Sequence, residues 1–325
     1  MAQITLKQLA ELSGLSIRTV NRVLKNEGNV VPEKQELILR LAERHCYVPN
    51  MAARNLRLKR KSFVGILCGN METEVFVQKI KDLEKRLSAA GYYPILGHSG
   101  KMVSELEKTL NDWSGIAEYI VVMSNVPDSS ENFRVPPGHL PLQFIFVDRQ
   151  ALPGTHSIQI DRSSGVCDAV LHLLKSGRRN ILHCGNQESR KNGIVKAFGQ
   201  LPPDSGAEHL FLNTIGEFEN GYNLGAEIMG TGADAVFFDP DRIAAGFLKY
   251  ASEHQIRIPD RIAVIGFDDD VVARMSSPSL ASVAHPVAEI NSCIMDIIDR
   301  NPGEKVSRIF PTRFILRESA DFTRK

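Results

Sequence analysis

From residue 63 onwards, which we call the body, short apolar runs alternate with longer amphipathic segments. Eight runs have the length of β-strands: residues 63–68, 93–96, 119–123, 143–147, 180–183, 209–212, 235–238 and 262–266. Apolar residues recur at helical spacing over residues 75–90, 163–175, 243–254 and 287–300. Alternation of strands with amphipathic helices is typical of βαβ units, which build parallel sheets. This pattern constrains the fold more than any other feature of the chain.

The number of strand–helix units in the body exceeds what one sheet comfortably holds. We therefore predict two Rossmann-like α/β lobes, with a first crossing between them near residue 160. A second crossing near His285 and Pro286 and a last strand at residues 309–316 would return the chain between lobes. The expected segments are about 62–160 and 287–314 in the first lobe, and about 161–286 and 315–325 in the second.

Residues 1–46, which we call the headpiece, have the pattern of three short helices. Residues 5–8 have the form of a capping box that opens the first helix, and Gly14 ends it. Ser16 can cap the second helix directly afterwards, and Pro32 begins the third. The apolar face of the third helix is predicted to comprise Leu37, Ile38, Leu41 and Ala42. A tight glycine-containing link between two short helices is typical of an all-α helix-turn-helix domain.

Residues 47–61, the hinge segment, connect the headpiece to the body. Asn50 can cap a helix that is at most two or three turns long and that ends in a basic run. So short a helix is marginal in water without a partner. Leu56 is apolar but has polar neighbours, so we predict that it wedges into a DNA minor groove, with the small Ala53 against the groove wall. A plain linker helix whose Leu56 touches the body is the alternative.

Charge is distributed unevenly along the chain, whose formal net charge is only +1. Residues 1–61 contain twelve lysines and arginines against five acidic residues, a formal charge of +7, and the remainder carries −6. A basic headpiece on an acidic body indicates a polyanionic partner for the headpiece alone. A surface that is basic only for solubility is the alternative.

In a helix-turn-helix, the second helix enters the major groove of DNA by its N-terminal end. Helical spacing turns Val20, Val23 and Leu24 inward and leaves the opposite face outward. The residues predicted to contact DNA are Ser16, Ile17, Arg18, Thr19, Asn21 and Arg22. The two arginines can each bind a guanine, the isoleucine can touch a thymine methyl group, and the other three suit phosphate contacts. For either arginine taken singly, a solvated helix face is the alternative.

Several classes of protein find no support in the sequence. The N-terminus has no charged region followed by an apolar core, and no run approaches the ~18 apolar residues of a membrane helix. The five cysteines are scattered without a C-x-x-C pair, which is typical of reduced thiols. We therefore expect a cytoplasmic protein without a signal peptide or a membrane partner.

Signatures of enzymes and of metal sites are equally poor. Residues 97–101, Gly-His-Ser-Gly-Lys, match neither a G-x-S-x-G elbow nor a phosphate-binding loop. Residues 268–270 are three consecutive aspartates, but neighbouring residues at a strand end point in different directions and no His or Glu stands at ligand spacing. We therefore expect no catalytic residue, no metal and no cofactor.

Ordered motifs run along nearly the whole chain. In the first two segments they occupy residues 4–10, 13–16, 19–24 and 47–50, with Ala53 and Leu56. In the body they occupy residues 64–67, 147–149, 176–181, 258–269 and 278–280. Taken in this order, they resemble the LacI/GalR family of transcriptional regulators. The chain departs from the family pattern at Leu9, Leu15, Asn21 and Pro240, and in the contracted stretches 186–190 and 218–222.

The resemblance implies a body with the fold of a periplasmic sugar-binding protein, which holds a small, sugar-like effector between its lobes. It implies an effector site comprising Phe76, Asp148, Arg149, Arg190, Phe218, Asp241 and Asp268. It also adds Thr5, Leu6, Asn50, Ala53 and Leu56 to the residues that contact DNA. The effector set is physically coherent, because aromatic rings pack on sugars and charged groups bind hydroxyls. Internal salt bridges across the cleft are the alternative for any one charged residue.

The predicted function is that of a homodimeric transcriptional repressor under allosteric control. Two copies would place their second helices in successive major grooves of a near-palindromic operator. Closure of the lobes on the effector would shift the dimer between a DNA-competent and an incompetent arrangement. A solute-binding receptor without a DNA role, which would need export, and a cytosolic α/β enzyme are the alternatives.

Overall fold

The structure of the protein is a computed structural model, and it describes residues 4–24, 30–45, 47, 63–69, 73–98, 108–109, 111–113, 116–123, 142–149, 153–214, 216–300 and 303–323. The chain forms two compact units, Met1–Ser62 and Phe63–Lys325. The predicted DNA contacts of Asn50, Ala53 and Leu56 lie outside the described residues.

Three helices make up the described part of the headpiece: α1 (Leu6–Ser13), α2 (Ile17–Leu24) and α3 (Pro32–Arg44). The predicted capping box is confirmed, since Gln8 N–H donates to Thr5 Oγ1 over 3.2 Å and Thr5 N–H donates to Gln8 Oε1 over 2.9 Å. Gly14 ends α1 with a φ of 65°, a left-handed conformation that glycine adopts at little cost. Thr19 N–H then donates to Ser16 Oγ over 3.2 Å, which caps α2 as predicted.

One apolar core holds these three helices together. Its buried members are Leu9, Ala10, Val20, Val23 and Ile38, with Leu41 and Ala42 packed against them. Pro32 is the first residue of α3, as predicted. Leu37 departs from the prediction, because its side chain is 43% exposed. Neighbouring residues lie about 100° apart around a helix, so the burial of Ile38 turns Leu37 away from the core.

The first lobe of the body is built on a six-stranded parallel sheet. Its strands are β1 (Phe63–Cys68), β2 (Tyr93–His98), β3 (Ala117–Val122), β4 (Gln143–Val147), β5 (His156–Asp161) and β11 (Ser307–Pro311), in the order β11-β5-β4-β3-β1-β2. Helices α4 (Glu74–Ala89) and α11 (Val287–Arg300) cover one face and share its core. On β1 and β2, a Cβ at Gly65 or Gly97 would lie 2.5 Å from the ring of Trp113, which therefore needs both glycines.

The second lobe is built on a second six-stranded sheet. Its strands are β6 (Asn180–Cys184), β7 (Glu208–Leu212), β8 (Ala235–Phe238), β9 (Ala263–Asp268), β10 (Ala281–Ala284) and β12 (Arg313–Ile315), in the order β12-β10-β9-β8-β6-β7. Only β12 runs antiparallel to its neighbour. The helices are α5 (Arg162–Lys175), α6 (Glu188–Phe198), α7 (Phe218–Asn223), α8 (Gly225–Gly230), α9 (Asp241–Glu253) and α10 (Val271–Met275), with a 3₁₀ turn at Glu318–Ala320.

The chain changes sheets three times, after Asp161, after Ala284 and at Thr312. The predicted last strand at residues 309–316 is wrong as a single element, because β11 and β12 belong to different sheets. Thr312 separates them: it is buried, its Oγ1 donates to the Asp161 carbonyl over 3.0 Å, and it accepts from Gly165 N–H over 3.1 Å. These bonds tie the third crossing to the first.

The predicted fold class is confirmed: an all-α helix-turn-helix headpiece precedes an α/β body of two lobes with mainly parallel sheets. All eight predicted strands are present, and β5 and β10 were not predicted. Within the ranges that the structure describes, no helix combines the length and the apolar character needed to span a membrane.

Candidate functional site

The second helix of the headpiece, α2, separates buried from outward residues as its spacing predicted. Val20 and Val23 are buried, whereas the Ile17 side chain is 42% exposed. Arg18 and Arg22 are exposed, and neither forms an ion pair with another residue in the described part of the headpiece. This helix therefore offers two free guanidinium groups and an apolar side chain on one accessible face.

The start of α2 and the start of α1 carry the other predicted DNA contacts. Ser16 Oγ and Thr19 Oγ1 lie 2.9 Å apart, so the two hydroxyls are hydrogen-bonded to each other. Asn21 and Leu6 are half-buried, and Thr5 is exposed although its side chain caps α1. Hydroxyl and amide groups of this kind, placed beside an exposed basic helix, suit contacts with phosphates.

In the body, acidic residues follow the carboxyl ends of strands in both sheets. Asp148 follows β4, Asp239 follows β8, and Asp268 ends β9. Asp148 has a φ of 59°, and Asp268 and Asp269 have φ values of 102° and 54°. Such left-handed conformations are uncommon outside glycine and concentrate at functional sites. Ligands of parallel α/β sheets bind beyond these strand ends.

Asp148 is held by Arg162, the first residue of α5. Arg162 Nη1 donates to Asp148 Oδ1 over 2.6 Å, and Nη2 donates to the second carboxylate oxygen. Burial alone would raise the pKa of Asp148, but the hydrogen bonds and charge of Arg162 outweigh it and lower that pKa. The pair is therefore a fully ionised, bidentate contact near neutral pH.

Arg190, on α6, is held less tightly by Asp239. Its Nε lies 3.4 Å from Asp239 Oδ1, and its guanidinium carbon lies 4.3 Å from the centroid of the Phe267 ring. Burial raises the pKa of Asp239 to about 6, against the opposing charge of Arg190. Of the two acidic residues near this point of the sequence, Asp239 rather than the predicted Asp241 contacts the arginine.

Asp268 is hydrogen-bonded to His285, which follows β10. The distance from His285 Nε2 to Asp268 Oδ1 is 3.0 Å. Burial, together with the charge of Lys79, lowers the pKa of His285 to about 4 against the opposing effect of Asp268. His285 is therefore neutral near pH 7 and donates from Nε2 to an ionised Asp268.

A buried lysine, Lys79 of α4, belongs to the same cluster, and sequence reasoning missed it. Burial lowers its pKa to about 8, while the charges of Asp148 and Asp268 act to raise it and those of Arg162 and Arg190 to lower it. Its Nζ lies 5.2 Å from the centroid of the Phe76 ring. Its position in the sequence could have revealed its burial, because Lys79 lies in the apolar stripe of α4. The other members of that stripe are Val75, Phe76, Ile80, Leu83 and Leu87.

The cluster thus brings together some predicted effector residues and leaves others apart. Phe76, Asp148, Arg190 and Asp268 meet, joined by Lys79, Arg162, Asp239 and His285. Arg149 is half-buried, with its guanidinium carbon 5.7 Å from the Phe146 ring centroid. Phe218 is the first residue of α7, and its side chain is exposed.

Asp241 is the most deeply buried of the predicted effector residues. It is fully buried, and it accepts hydrogen bonds from Ser282 Oγ over 2.7 Å and from Asp270 N–H over 2.8 Å. Both carboxylate oxygens thus bind protein groups and hold the Asp270 turn, and the contact of Asp241 with the effector stays a prediction. Burial raises its pKa well above the usual range.

The two lobes contact each other beside this cluster. Glu74, in the first turn of α4, accepts a hydrogen bond through Oε2 from Val271 N–H, at the start of α10, over 2.8 Å. Carboxylates, guanidinium groups and an aromatic ring gathered near strand ends of both sheets have the chemistry to bind a polar ligand with hydroxyl groups. Across the described ranges, no group of three or more potential metal-ligating side chains is placed to hold an ion.

Comparisons with known proteins find matches for both the headpiece and the body. Residues 5–50 match the family model "Bacterial regulatory proteins, lacI family", and residues 170–320 match "Periplasmic binding protein-like domain". The HTH-type transcriptional regulator DegA of Bacillus subtilis (strain 168) is 25% identical over 333 residues, which cover 97% of each chain.

Two solved structures have the same fold. The Lac repressor dimer bound to operator and the anti-inducer ONPF matches with a TM-score of 0.78 at 18% identity, covering 98% of this chain and 99% of that one. A LacI family regulator from Enterococcus faecium with bound ribose matches with a TM-score of 0.65 at 22% identity, covering 79% of this chain and 98% of that one. The chain therefore carries a lacI-family helix-turn-helix domain and a periplasmic binding protein-like domain, and it is similar over nearly its full length to transcriptional regulators of the LacI/GalR family.

Proposed function

We propose that this protein is a sequence-specific transcriptional repressor whose affinity for its operator is controlled by a small, sugar-like effector bound between the two lobes. The observation that carries this proposal is α2, whose outward face presents Ile17, Arg18 and Arg22 without ion-pair partners in the described headpiece. The buried core of the headpiece holds α2 in place, and Ile17, Arg18 and Arg22 are not part of that core. Family members are transcriptional regulators, and we infer that this one, too, is not an enzyme.

The DNA contacts follow from the orientation of α2. Inserted into a major groove, Arg18 and Arg22 bind guanine edges and Ile17 meets a thymine methyl group. The residues proposed for phosphate contact are Ser16, Thr19 and Asn21, with Thr5 and Leu6 at the start of α1. For the hinge segment, residues 47–61, the proposal assigns Asn50 to its N-terminus and Ala53 and Leu56 to the minor groove.

The assembly proposed is a homodimer on a near-palindromic operator. The related Lac repressor structure is a dimer bound to operator, which supports the same arrangement here. Two-fold symmetry of the protein then requires two half-sites related by the same symmetry. A DNA partner of this kind also supports a cytoplasmic location, with residues 1–46 as headpiece and 62–325 as effector and dimerisation domain.

The effector site proposed lies at the facing strand ends of the two lobes. A related regulator has ribose bound, which supports a sugar-like ligand. We assign direct contact to Phe76, Asp148, Arg149, Arg190, Phe218, Asp241 and Asp268. The contact between Glu74 and Val271 joins the lobes, so a ligand that changes their closure acts on this contact. We propose that closure in turn shifts the dimer between its DNA-competent and incompetent arrangements.

Selection of binding sites from a random DNA pool, followed by fluorescence anisotropy, tests the DNA-binding part. Arg22→Ala is expected to weaken binding to the selected site by about 10- to 100-fold and to relax base preference, since a bidentate base contact contributes about 1–3 kcal/mol. Arg40→Ala is the matched control, because Arg40 is exposed on α3 and paired with Glu36 at 2.8 Å. Equal binding by wild type and Arg22→Ala would contradict docking through α2.

The effector part is tested on the same protein–DNA complex. Sugars and sugar derivatives are screened by thermal shift on the full chain, and each stabilising compound is then added to the anisotropy titration. An effector must change operator affinity, because coupling between two sites is reciprocal. A compound that stabilises the protein but leaves operator affinity unchanged shows that its site is not coupled to DNA.

A further inference from the structure

Lys79 is a cation in a place where an apolar residue would complete the packing. It belongs to the buried stripe of α4, and its residue exposure is 1%. Its backbone carbonyl accepts a hydrogen bond from Asn291 Nδ2 over 2.9 Å, which fixes this turn of α4 against α11. Its side chain extends over the ring of Phe76, a residue of the proposed effector site. The ammonium group therefore lies beside the proposed effector site, within reach of the charges of Asp148 and Asp268.

The other two cations of the cluster each have a carboxylate partner, whereas Lys79 has none among the residues that the structure describes. Arg162 is bound by Asp148, and Arg190 lies 3.4 Å from Asp239. Among the described residues, no carboxylate oxygen lies within 4.0 Å of Lys79 Nζ and no hydrogen bond from it is present. A buried ammonium without a counter-ion is costly, and proteins retain such groups chiefly at sites of function.

The charges around Lys79 keep it protonated near neutral pH. Burial lowers its pKa to about 8, and Asp148 and Asp268 oppose that effect, while Arg162 and Arg190 add to it. His285, with a pKa of about 4, is neutral and contributes a dipole rather than a charge. At pH 7 the cluster therefore contains one positive charge, that of Lys79, without a direct counter-ion in the described part of the body.

Resting on the effector site proposed above, we propose that the effector is an acidic sugar derivative whose carboxylate or phosphate binds the Lys79 ammonium while its hydroxyls are bound by Asp148 and Asp268. A single anionic group on the ligand supplies the missing counter-ion. The carboxylates of Asp148 and Asp268 have lone pairs beyond those used by Arg162 and His285, and these accept hydroxyl protons. A neutral sugar would satisfy the carboxylates but leave the ammonium unpaired.

Isothermal titration calorimetry on the full-length protein tests this, with glucose, glucuronate and glucose 6-phosphate, and with ribose and ribose 5-phosphate, as matched probes. For at least one skeleton, the acid is expected to bind at least tenfold more tightly than its neutral parent. Lys79→Met should remove that preference, with the affinity for the acid falling at least tenfold. Lys81→Met is the matched control, because Lys81 is exposed on the same helix. Comparison of glucuronate with glucose 6-phosphate shows whether the site prefers a carboxylate or a phosphate.

Proton uptake gives a second measurement, made on the wild-type protein alone. At pH 8 about half of the Lys79 side chains are neutral, so an anion bound there draws protons onto them. The heat of binding is then expected to vary with the ionisation enthalpy of the buffer for the acid, but not for its neutral parent. Absence of this dependence for a tightly bound acid would show that the anion lies elsewhere and would overturn the proposal.

The remaining outcomes separate this inference from the function on which it rests. If neutral sugars bind and acids do not, the inference is wrong and the effector site stands. If Lys79→Met binds acids as wild type does, Lys79 is an internal counter-charge for Asp268, and the inference is again wrong. If no probe binds although the protein binds its operator, the sugar-like effector and the inference both fail.

Discussion

The headpiece and the body carry their functional cations in opposite ways. Arg18 and Arg22 of α2 are exposed and lack ion-pair partners in the described headpiece, whereas the side chains of Arg162 and Arg190 are only 19% and 13% exposed and each has a carboxylate beside it. Water solvates an exposed charge, so its removal changes folding stability little. A buried charge loses that solvation and needs a partner, at a cost of several kcal/mol when the partner is absent.

This difference in burial determines whether a substitution can change ligand binding without changing folding stability. In the headpiece, the cations are held on a core that does not involve them, so binding and folding are independent properties of α2. In the body, the same side chains that would bind an effector also neutralise one another, so a change at the site alters the fold as well. Lys79 is intermediate, because it is buried and no carboxylate of the described residues contacts its ammonium group.

Asp148→Ala should have the largest effect, because it leaves Arg162 buried without its bidentate partner. We expect a loss of about 3–5 kcal/mol in the free energy of unfolding of the body. Urea unfolding followed by the fluorescence of Trp113, the single tryptophan, reports on the first lobe, where its ring packs over β1 and β2. Glu36→Ala, which breaks an exposed pair with Arg40, is the control and should change stability by less than about 0.5 kcal/mol. Equal effects would remove the distinction between buried and exposed cations.

Lys79→Met should act in the opposite direction and stabilise the body. The pKa of Lys79 falls from 10.5 to about 8 on folding, so below pH 8 both states are protonated and the folded state bears the full cost of burial. Between pH 8 and 10.5 the unfolded chain binds more protons, and wild-type stability rises with pH. The variant should therefore exceed wild type by about 3 kcal/mol at pH 7, with the difference shrinking as pH rises. A constant difference from pH 7 to 9.5 would mean that Lys79 does not titrate in this range.

Much of the architecture was predictable, because it depends on local patterns. Capping residues, Gly14 and Pro32 placed the headpiece helices correctly, and apolar runs placed eight strands. Strand β5 was missed because polar residues alternate with buried ones along it, and β10 because it has only four residues. The split of the last predicted strand depends on hydrogen bonds of Thr312 to Asp161 and Gly165, which are distant in sequence.

The effector cluster was less predictable, because the partner of each charged side chain depends on the path of the loop that follows its strand. Asp239 and Asp241 are two residues apart, and only the course of the chain after β8 decides that Asp239 meets Arg190 while Asp241 binds Ser282. Lys79 was missed because a lysine in an apolar stripe is normally assigned to solvent. Its burial follows from the packing of α4 against the first sheet and α11, and no local sequence pattern encodes that packing.

Thr5→Ala tests headpiece stability separately from charge, because it removes a helix cap and leaves every charged group in place. Loss of the cap is expected to cost about 1 kcal/mol of headpiece stability, because the Gln8 N–H at the start of α1 loses its acceptor, Thr5 Oγ1. Hydrogen exchange of the α1 amides, measured by mass spectrometry on the full chain, should be faster by about fivefold. Exchange in the strands of the body is the internal control and should be unchanged.

Arg22→Ala should have the smallest effect on stability and tests the comparison most directly. Because the Arg22 side chain is exposed and the core of the headpiece does not include it, hydrogen exchange in α1 and α3 should change by less than about 0.5 kcal/mol in opening free energy. The same variant is expected to lose operator affinity, so stability and binding would separate at this residue. If the variant instead loosens α2 and α3 as much as Thr5→Ala loosens α1, the arginine supports the fold, and its DNA-binding defect can no longer be read as a lost base contact.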